Sequence, residues 1–335
     1  MKYGIELGYV SKLSLAETYD LIDKFYSEIF VLLKNKWDLK FIHSPLITEK
    51  NKWLNDDFNN SYRPIDFDIP SLKIFGEVLQ RDNKWRRESI MKGGFNEVNK
   101  GILTNSKSIR RDVEVDNITS VVYDEIGIEL FADKYEKDKN LDTLTMLYSV
   151  LYEIDMKLSN DYNELQNNHL SQQLIFISHR KLKIMYPLAT FQERINLFGR
   201  ENGNFVVYNH IVPLINSKYG SQIFSEDIFD FESYSTLYVY NWAIEKSVDI
   251  AYSSYQVMTE KLKEQNRMLK ENWKSSTEYN YLIKSNLLPL TISIGFDVNR
   301  FLMLICEKQH IAEVHYSVWS KKFTDFCKKN NVDIF

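Results

Sequence analysis

The sequence predicts an α+β fold rather than a doubly wound α/β fold. Helical and β-rich segments are mixed, with few regularly spaced strand–helix–strand crossovers. With 335 residues, 44% of them hydrophobic, the chain can build one large core or two fused ones. It has only 11 Gly and 6 Pro and no Pro-, Gly- or Ser-rich linker. We therefore predict a single domain over residues 1–335.

The first elements are predicted to be a long helix and an edge strand. A capping box at residues 14–17 opens a helix that reaches Leu33, with an apolar stripe along one face. The next predicted strand spans residues 41–46 and contains Pro45. Because proline cannot donate to a β-ladder, this strand is expected at a sheet edge.

Two β-rich runs then flank a polar connector, which predicts a strand, a loop carrying Arg110, and a returning strand. By the strand period of two, Glu125, Gly127 and Glu129 share one face of the returning strand. That polar face is either a solvated edge or part of a site.

The rest of the chain continues the mixture of helices and strands. Further helices are predicted at 141–158, from the capping box at 190–193 to about Gly199, and at 259–273; further strands are predicted at 174–177, 237–240 and 248–251.

A β-rich run, residues 290–295, leads directly into an apolar helix near the C-terminus. Asp297 is a candidate N-cap for this helix, and Arg300 lies in its first turn. A helix N-terminus with a guanidinium one turn in favours an anion such as phosphate. The alternative is a plain strand, turn and helix with a surface arginine.

Composition excludes several other classes of protein. The formal charge of −4 gives no overall attraction to nucleic acid, although the basic-aromatic run at 84–87 keeps a nucleic-acid-binding module as an alternative. The chain has no signal-type segment and no apolar run of about 18 residues, and its two cysteines, Cys306 and Cys327, are expected to be reduced. We therefore expect a soluble, cytoplasmic protein. No glycine-rich nucleotide motif and no metal-type His/Cys spacing occurs, so ATP, if bound, would be held by arginines.

Several short motifs occur together in the order and approximate spacing found in one enzyme family. They are 54–57, 63–69, 84–87, 109–112, Asp124-Glu125 with Glu129, Asn241, Gly295 with Arg300, and the tail segments 310–314 and 318–319. In these motifs the chain resembles the ammonia-dependent asparagine synthetases (aspartate-ammonia ligases) over nearly its whole length. The resemblance implies the catalytic fold of class II aminoacyl-tRNA synthetases, with a mixed, mostly antiparallel sheet flanked by helices. It also implies a homodimer without an anticodon-binding domain.

The resemblance implies activation of a carboxylate by ATP and Mg²⁺. Arg110 would clamp the α-phosphate and the activated carboxylate, and Arg300 would hold the β- and γ-phosphates. Glu129 and Asp249 would place Mg²⁺. Asp56 matches a carboxylate that the family uses near the incoming ammonia.

On the amino-acid side the chain departs from the family. Arg86 replaces a substrate-binding lysine, Glu125 a glutamine and Tyr252 a serine, so these three are the candidate substrate-binding residues. Gly127 stands in place of an acid, and Asp297 in place of a glycine near the phosphates. Two hypotheses lead: a divergent adenylate-forming amide ligase acting on a small, unknown amino-acid-like carboxylate, or a catalytically silent paralogue with a binding or regulatory role.

Overall fold

The computed structural model describes residues 2–58, 61–166, 168–215, 225–269 and 277–335. The helices in these ranges are α1 (Leu15–Lys36), α2 (Asn83–Lys92), α3 (Lys139–Ser159), α4 (His179–Met185), α5 (Phe191–Asn202), α6 (Ile211–Ile215), α7 (Thr259–Leu269), α8 (Glu278–Lys284), α9 (Val298–Ile305) and α10 (Lys321–Lys329). The strands are β1 (Asp38–Phe41), β2 (Ile47–Glu49), β3 (Ile65–Ile69), β4 (Ile74–Val78), β5 (Lys100–Ile109), β6 (Val122–Phe131), β7 (Ile175–Ser178), β8 (Phe205–Tyr208), β9 (Ser235–Asn241), β10 (Lys246–Tyr255) and β11 (Thr291–Asp297).

Across the described ranges, eight strands form one sheet in the order β1-β5-β6-β11-β10-β9-β8-β7, and β2-β4-β3 form a small second sheet. In this spatial order, the neighbouring strands β5, β6, β11, β10, β9 and β8 all pair antiparallel. Only the two outer pairs of the large sheet, β1 with β5 and β7 with β8, are parallel. The predicted α+β class, with a mixed and mostly antiparallel sheet, is confirmed.

The main core lies between this sheet and helices α1 and α3. Phe25 of α1 packs with Ile126 and Ile128 of β6, and each of these side chains is at most 1% exposed. Successive side chains of a strand point to opposite faces. The alternate residues of β6, Glu125 and Glu129, therefore face away from this core.

Most predicted helices and strands agree with the structure. The capping box at Ser14 is present, with the Glu17 backbone N–H donating to the Ser14 hydroxyl at 3.3 Å. Helix α5 runs past the predicted end near Gly199 to Asn202, where Gly203 adopts a φ of +75°. The predicted end of the 259–273 helix lies outside the described residues.

The predicted strand at residues 41–46 is wrong. Strand β1 ends at Phe41, and Pro45 lies in the connection to β2. The last hydrogen bond of the β1 edge runs from the Ile42 N–H to the Leu103 carbonyl at 3.0 Å. Pro45, which has no N–H to donate to a ladder, lies beyond this last bond, in the connection to the small sheet that begins at Ile47.

Cys306 and Cys327 are both free and buried. None of the helices in the described ranges combines the length and the apolar character needed to cross a membrane.

Candidate active site

The sheet face opposite α1 and α3 opens into a cavity of about 1320 Å³. Its lining includes two of the predicted site arginines, Arg110 and Arg300, together with Asp249 and Tyr252. The structure therefore brings the residues predicted to contact phosphate to one cavity.

Arg110 directly follows β5, and its backbone N–H donates to the Val121 carbonyl at 3.0 Å. Its guanidinium lies 3.9 Å from the ring centre of Tyr123 and 5.0 Å from that of Phe58. Nε donates to the Gln80 carbonyl at 3.4 Å, whereas the buried Nη2 has no hydrogen-bond partner among the described residues. Burial lowers the pKa of Arg110 from its ordinary value. A guanidinium with one buried, unused donor suits an anionic ligand.

Arg300 is held at the start of α9 by two carboxylates. The Asp297 side chain caps the helix, accepting from the Arg300 backbone N–H at 3.0 Å, and lies 3.2 Å from Nε. Nη1 lies 2.7 Å from Asp249 Oδ1. Burial raises the pKa of Asp297 to about 6, against the opposing effect of Arg300. Unlike Arg110, Arg300 is thus already paired with acids.

The three candidate substrate-binding residues, Arg86, Glu125 and Tyr252, do lie together, but they contact one another. Arg86 Nη1 lies 3.4 Å from Glu125 Oε1, and the Tyr252 hydroxyl donates to the same oxygen at 3.1 Å. Arg86 also lies 3.1 Å from Asp82 Oδ1 and 3.5 Å from Glu129 Oε2. We refer to Asp82, Arg86, Glu125, Glu129 and Tyr252 as the interior network. Burial raises the pKa of both Glu125 and Glu129.

Because Gly127 and Gly295 have no side chains, Arg86 and Tyr252 of this network can pack directly against the backbone of the sheet. A Cβ added at Gly127 would come within 1.4 Å of Arg86 Nη1, and one at Gly295 within 2.2 Å of the Tyr252 ring. Arg86 is completely buried and Tyr252 is 7% exposed. The polar face of β6 is therefore a filled interior and not a solvated edge.

The structure does not bring Glu129 and Asp249 together as a magnesium pair. Glu129 pairs in register with Ser293, which pairs with Ser254, five residues or roughly 16 Å along β10 from Asp249. Glu129 accepts from Gln256 Nε2 at 2.7 Å and is buried, whereas the Asp249 side chain is 54% exposed. No cluster of three or more potential metal ligands was found within the part of the chain that is described.

Asp56 is buried close to the Arg110 site. Its Oδ1 accepts from the Phe58 N–H at 2.8 Å and from the Ser225 hydroxyl at 2.6 Å, and Oδ2 lies 3.3 Å from Arg81 Nη1. Arg81 and Arg110 both lie against the Phe58 ring, at 4.7 and 5.0 Å. Asp56 and Arg110 thus belong to one cluster.

Sequence reasoning missed Arg81, Phe58 and Tyr123, which all line the cavity. The period of two could have found Tyr123, because it shares a face with Glu125. No comparable pattern marks Arg81 or Phe58.

The basic run at 84–87 does not form a nucleic-acid surface. Lys84, Arg86 and Arg87 are each at most 1% exposed. Lys84 forms a buried ion pair with Asp227 at 2.8 Å. The structure thus contradicts the nucleic-acid alternative.

The fold is that of a class II aminoacyl-tRNA synthetase-like catalytic domain. Asparaginyl-tRNA synthetase from Pyrococcus horikoshii, complexed with asparaginyl-adenylate, superposes with a TM-score of 0.65 at 11% identity, covering 90% of this chain and 68% of that one. The Entamoeba histolytica asparaginyl-tRNA synthetase complex gives 0.63 at 11% identity, covering 91% and 68%.

A family model described as aspartate-ammonia ligase matches residues 17–331, and the chain belongs to this family. Aspartate–ammonia ligase from Bacillus mycoides (strain KBAB4) is 27% identical over 98% of this chain and 100% of its own length. The Bacillus cereus (strain AH187) protein is 26% identical with the same coverage. Membership supports an ATP-dependent ligase as the general class.

Proposed function

We propose that this chain binds ATP in the cavity and uses it to activate a carboxylate other than aspartate, which is then joined to an amine. The observation that carries the proposal is the half-buried Arg110, whose buried Nη2 has no hydrogen-bond partner among the described residues. An α-phosphate beside it would supply a charge-assisted acceptor.

In the proposed reaction, a carboxylate oxygen attacks the α-phosphorus of ATP. The new oxygen–phosphorus bond forms as the bond to the β-phosphate oxygen breaks, so pyrophosphate leaves. An amine then attacks the acyl carbon, AMP leaves, and the amine loses a proton. Arg110 is placed to stabilise the charge that develops at the α-phosphate, and Arg300 to hold the leaving phosphates.

Asp249 is the better of the two proposed magnesium ligands. Its half-exposed carboxylate borders the cavity and suits Mg²⁺, which prefers to bind through one or two carboxylates plus phosphate oxygens. Glu129 already accepts hydrogen bonds from Gln256 and Thr291 and is fully buried. Bound Mg²⁺ would neutralise phosphate charge. Asp56 would orient the amine, with Arg81 on its second oxygen.

Aspartate is excluded from the proposal because the interior network fills the site. Arg86 and Tyr252 lie within contact distance of the Gly127 and Gly295 backbones, and their polar atoms are paired with Glu125. A small amino acid entering there would have to displace a buried cation from its partners, which costs about 3–5 kcal/mol.

The same filled site favours a second candidate function, a catalytically silent paralogue that binds nucleotide for a regulatory role. Pyrophosphate exchange separates the two candidates, since a silent protein would bind ATP without supporting exchange with any acid. A homodimer and a cytoplasmic location stay predictions for both.

The test is calorimetry of ATP with magnesium on the parent and on Arg110→Ala. Losing a charge-assisted contact should weaken ATP binding by about 1.5–3 kcal/mol. Lys107→Ala is the matched control, because Lys107 lies near the end of β5, the strand that Arg110 follows, and its side chain is 68% exposed and paired with Asp124. This control should leave affinity unchanged. No binding to the parent at millimolar ATP, or equal binding by Arg110→Ala, would refute the proposal.

A further inference from the structure

A continuous row of aromatic rings leads from the arginine centre along the cavity. His179, Phe191, His210, Tyr234 and Tyr252 line the cavity, and we refer to them as the ring wall. Successive ring centres are separated by 5.4, 5.9, 5.9 and 5.4 Å. A substrate of aspartate's size would need only a small part of this length.

The ring wall begins beside the cations of the site. The Arg81 guanidinium lies 5.6 Å from the Tyr252 ring centre. Arg81 and Arg110 share the Phe58 ring, so the wall starts where the carboxylate would be activated. Because the interior network closes the space beneath Tyr252, the wall is an open path away from Arg110.

The far part of the ring wall is suited to a flat group. The Phe191 and His210 rings are stacked, with planes 10° apart, and the plane of the His179 ring lies at 27° to that of Phe191. Offset stacking at such separations is favourable for a further aromatic ring.

His210 also has an unused hydrogen-bonding atom. It is 3% exposed; its Nε2 lies 3.2 Å from the Thr236 hydroxyl, and its buried Nδ1 has no partner among the residues described. Burial, reinforced by His179, lowers the pKa of His210 to about 3, so the ring is neutral near pH 7. A neutral imidazole accepts at one nitrogen and donates at the other.

Positive charge surrounds this end of the cavity. Lys183 and Arg194 line it, and both lower the pKa of His179, although burial is the larger cause. An electron-rich ring is therefore better suited here than a cationic one.

Building on the proposed function, we propose that the activated acid is elongated: its carboxylate lies at Arg110, and a planar, hydrogen-bonding aromatic ring at its other end stacks at Phe191 and bonds to His210. The substrate class is thus an aryl- or heteroaryl-alkanoic acid.

Binding without ATP tests this directly. 10-(Indol-3-yl)decanoate, its carbocyclic analogue 10-(1-naphthyl)decanoate, 10-cyclohexyldecanoate and aspartate are titrated into the full chain by calorimetry and NMR. The long chain is chosen to cover the three ring separations between Tyr252 and Phe191. The indole acid should bind roughly threefold to tenfold more tightly than the cyclohexyl acid, from stacking alone. Equal affinities for these two acids would overturn the inference.

Two variants locate the ring. Phe191→Leu should remove the preference for the indole acid over the cyclohexyl acid. His210→Phe should keep that preference but remove the preference for the indole acid over the naphthyl acid. Phe176→Leu is the control, since Phe176 is an exposed aromatic residue on neighbouring β7 that does not line the cavity. If Phe191→Leu folds and still prefers the indole acid over the cyclohexyl acid, the inference is overturned. If a variant does not fold, the affinities of the parent for the four ligands decide the question.

ATP binding separates failure of this inference from failure of the proposed function. Aromatic preference without ATP binding would refute nucleotide-dependent activation and leave the ring site standing. ATP binding without aromatic preference would refute the ring site alone. Pyrophosphate exchange stimulated by the indole acid, and not by aspartate, would support both.

Discussion

Replacing Arg86 by methionine should strongly destabilise the protein near neutral pH. Arg86 is completely buried and lies within 3.5 Å of carboxylate oxygens of Asp82, Glu125 and Glu129, which are themselves at most 4% exposed. Methionine keeps most of the side-chain volume but removes the charge. Because breaking a buried ion pair leaves uncompensated charge, we expect a loss of about 3–5 kcal/mol in unfolding free energy at pH 7.5.

This loss should shrink as the pH falls. Burial raises the folded-state pKa of Glu125 and Glu129 above the ordinary 4.5, and Arg86 opposes that shift. Removing Arg86 raises both pKa values further. A carboxyl with a raised folded-state pKa contributes stability that is present below the unfolded pKa and lost as pH rises through the folded one. In the variant, each carboxyl that takes up a proton between pH 7.5 and 5.5 should recover about 1.4 kcal/mol per pH unit.

Arg87→Met provides a matched control on the same helix. Arg87 is also completely buried, but it donates to the Pro289 and Val257 carbonyls, both at 2.9 Å. Leaving those carbonyls without a donor should cost about 1–3 kcal/mol each. Carbonyls do not titrate, so this loss should be equal at both pH values. Urea unfolding followed by circular dichroism measures both variants. A loss below about 1 kcal/mol for Arg86→Met at pH 7.5, or a loss independent of pH, would refute a charged interior network.

Two further predictions concern other parts of the chain. The Asp155 and Glu307 carboxylates, 2.8 and 3.3 Å from the ring of His169, outweigh burial and raise the pKa of His169 to about 9. The charge on His169 should therefore stabilise the fold below pH 6.5, and this stabilisation should be lost as pH rises through 9. In urea unfolding, His169→Gln should lower the free energy of unfolding by about 1–3 kcal/mol more at pH 6.5 than at pH 9.5. The second prediction is a homodimer, which the family resemblance of the sequence implies, with an interface formed partly by α1 and the segment around Pro45. Light scattering at micromolar concentration should give twice the chain mass, and a mass near that of one chain would contradict this.

The sequence predicts local features of the site well, because they depend on neighbouring residues. The alternation in β6 correctly places Glu125 and Glu129 on one face, and Asp297 caps α9 as its position before the apolar run suggests. A cap and a strand face each need only a few consecutive residues.

Features set by contacts between distant residues could not be predicted in this way. Arg86 meets Gly127 from 41 positions away, and Tyr252 covers Gly295 from another strand. Periodicity gives no indication that these two side chains fill a site. The predicted Pro45 strand was wrong for a related reason, since a run of high β-propensity does not specify how far it pairs with its partner strand.

The direction in which a bound acid can extend depends on the space above Gly127 and Gly295. Gly127 and Gly295 remove side chains from the centre of the sheet, and Arg86 and Tyr252 occupy the space that this creates. An acid whose carboxylate lies at Arg110 therefore cannot extend down towards β6, because Arg86 and Tyr252 already fill that space. It can extend along the ring wall, which runs from Tyr252 to its stacked neighbour Tyr234 and beyond. In the proposed arrangement Tyr252 both closes the small substrate site that the family resemblance implies and forms the first ring of the wall, so a change at Tyr252 should alter both.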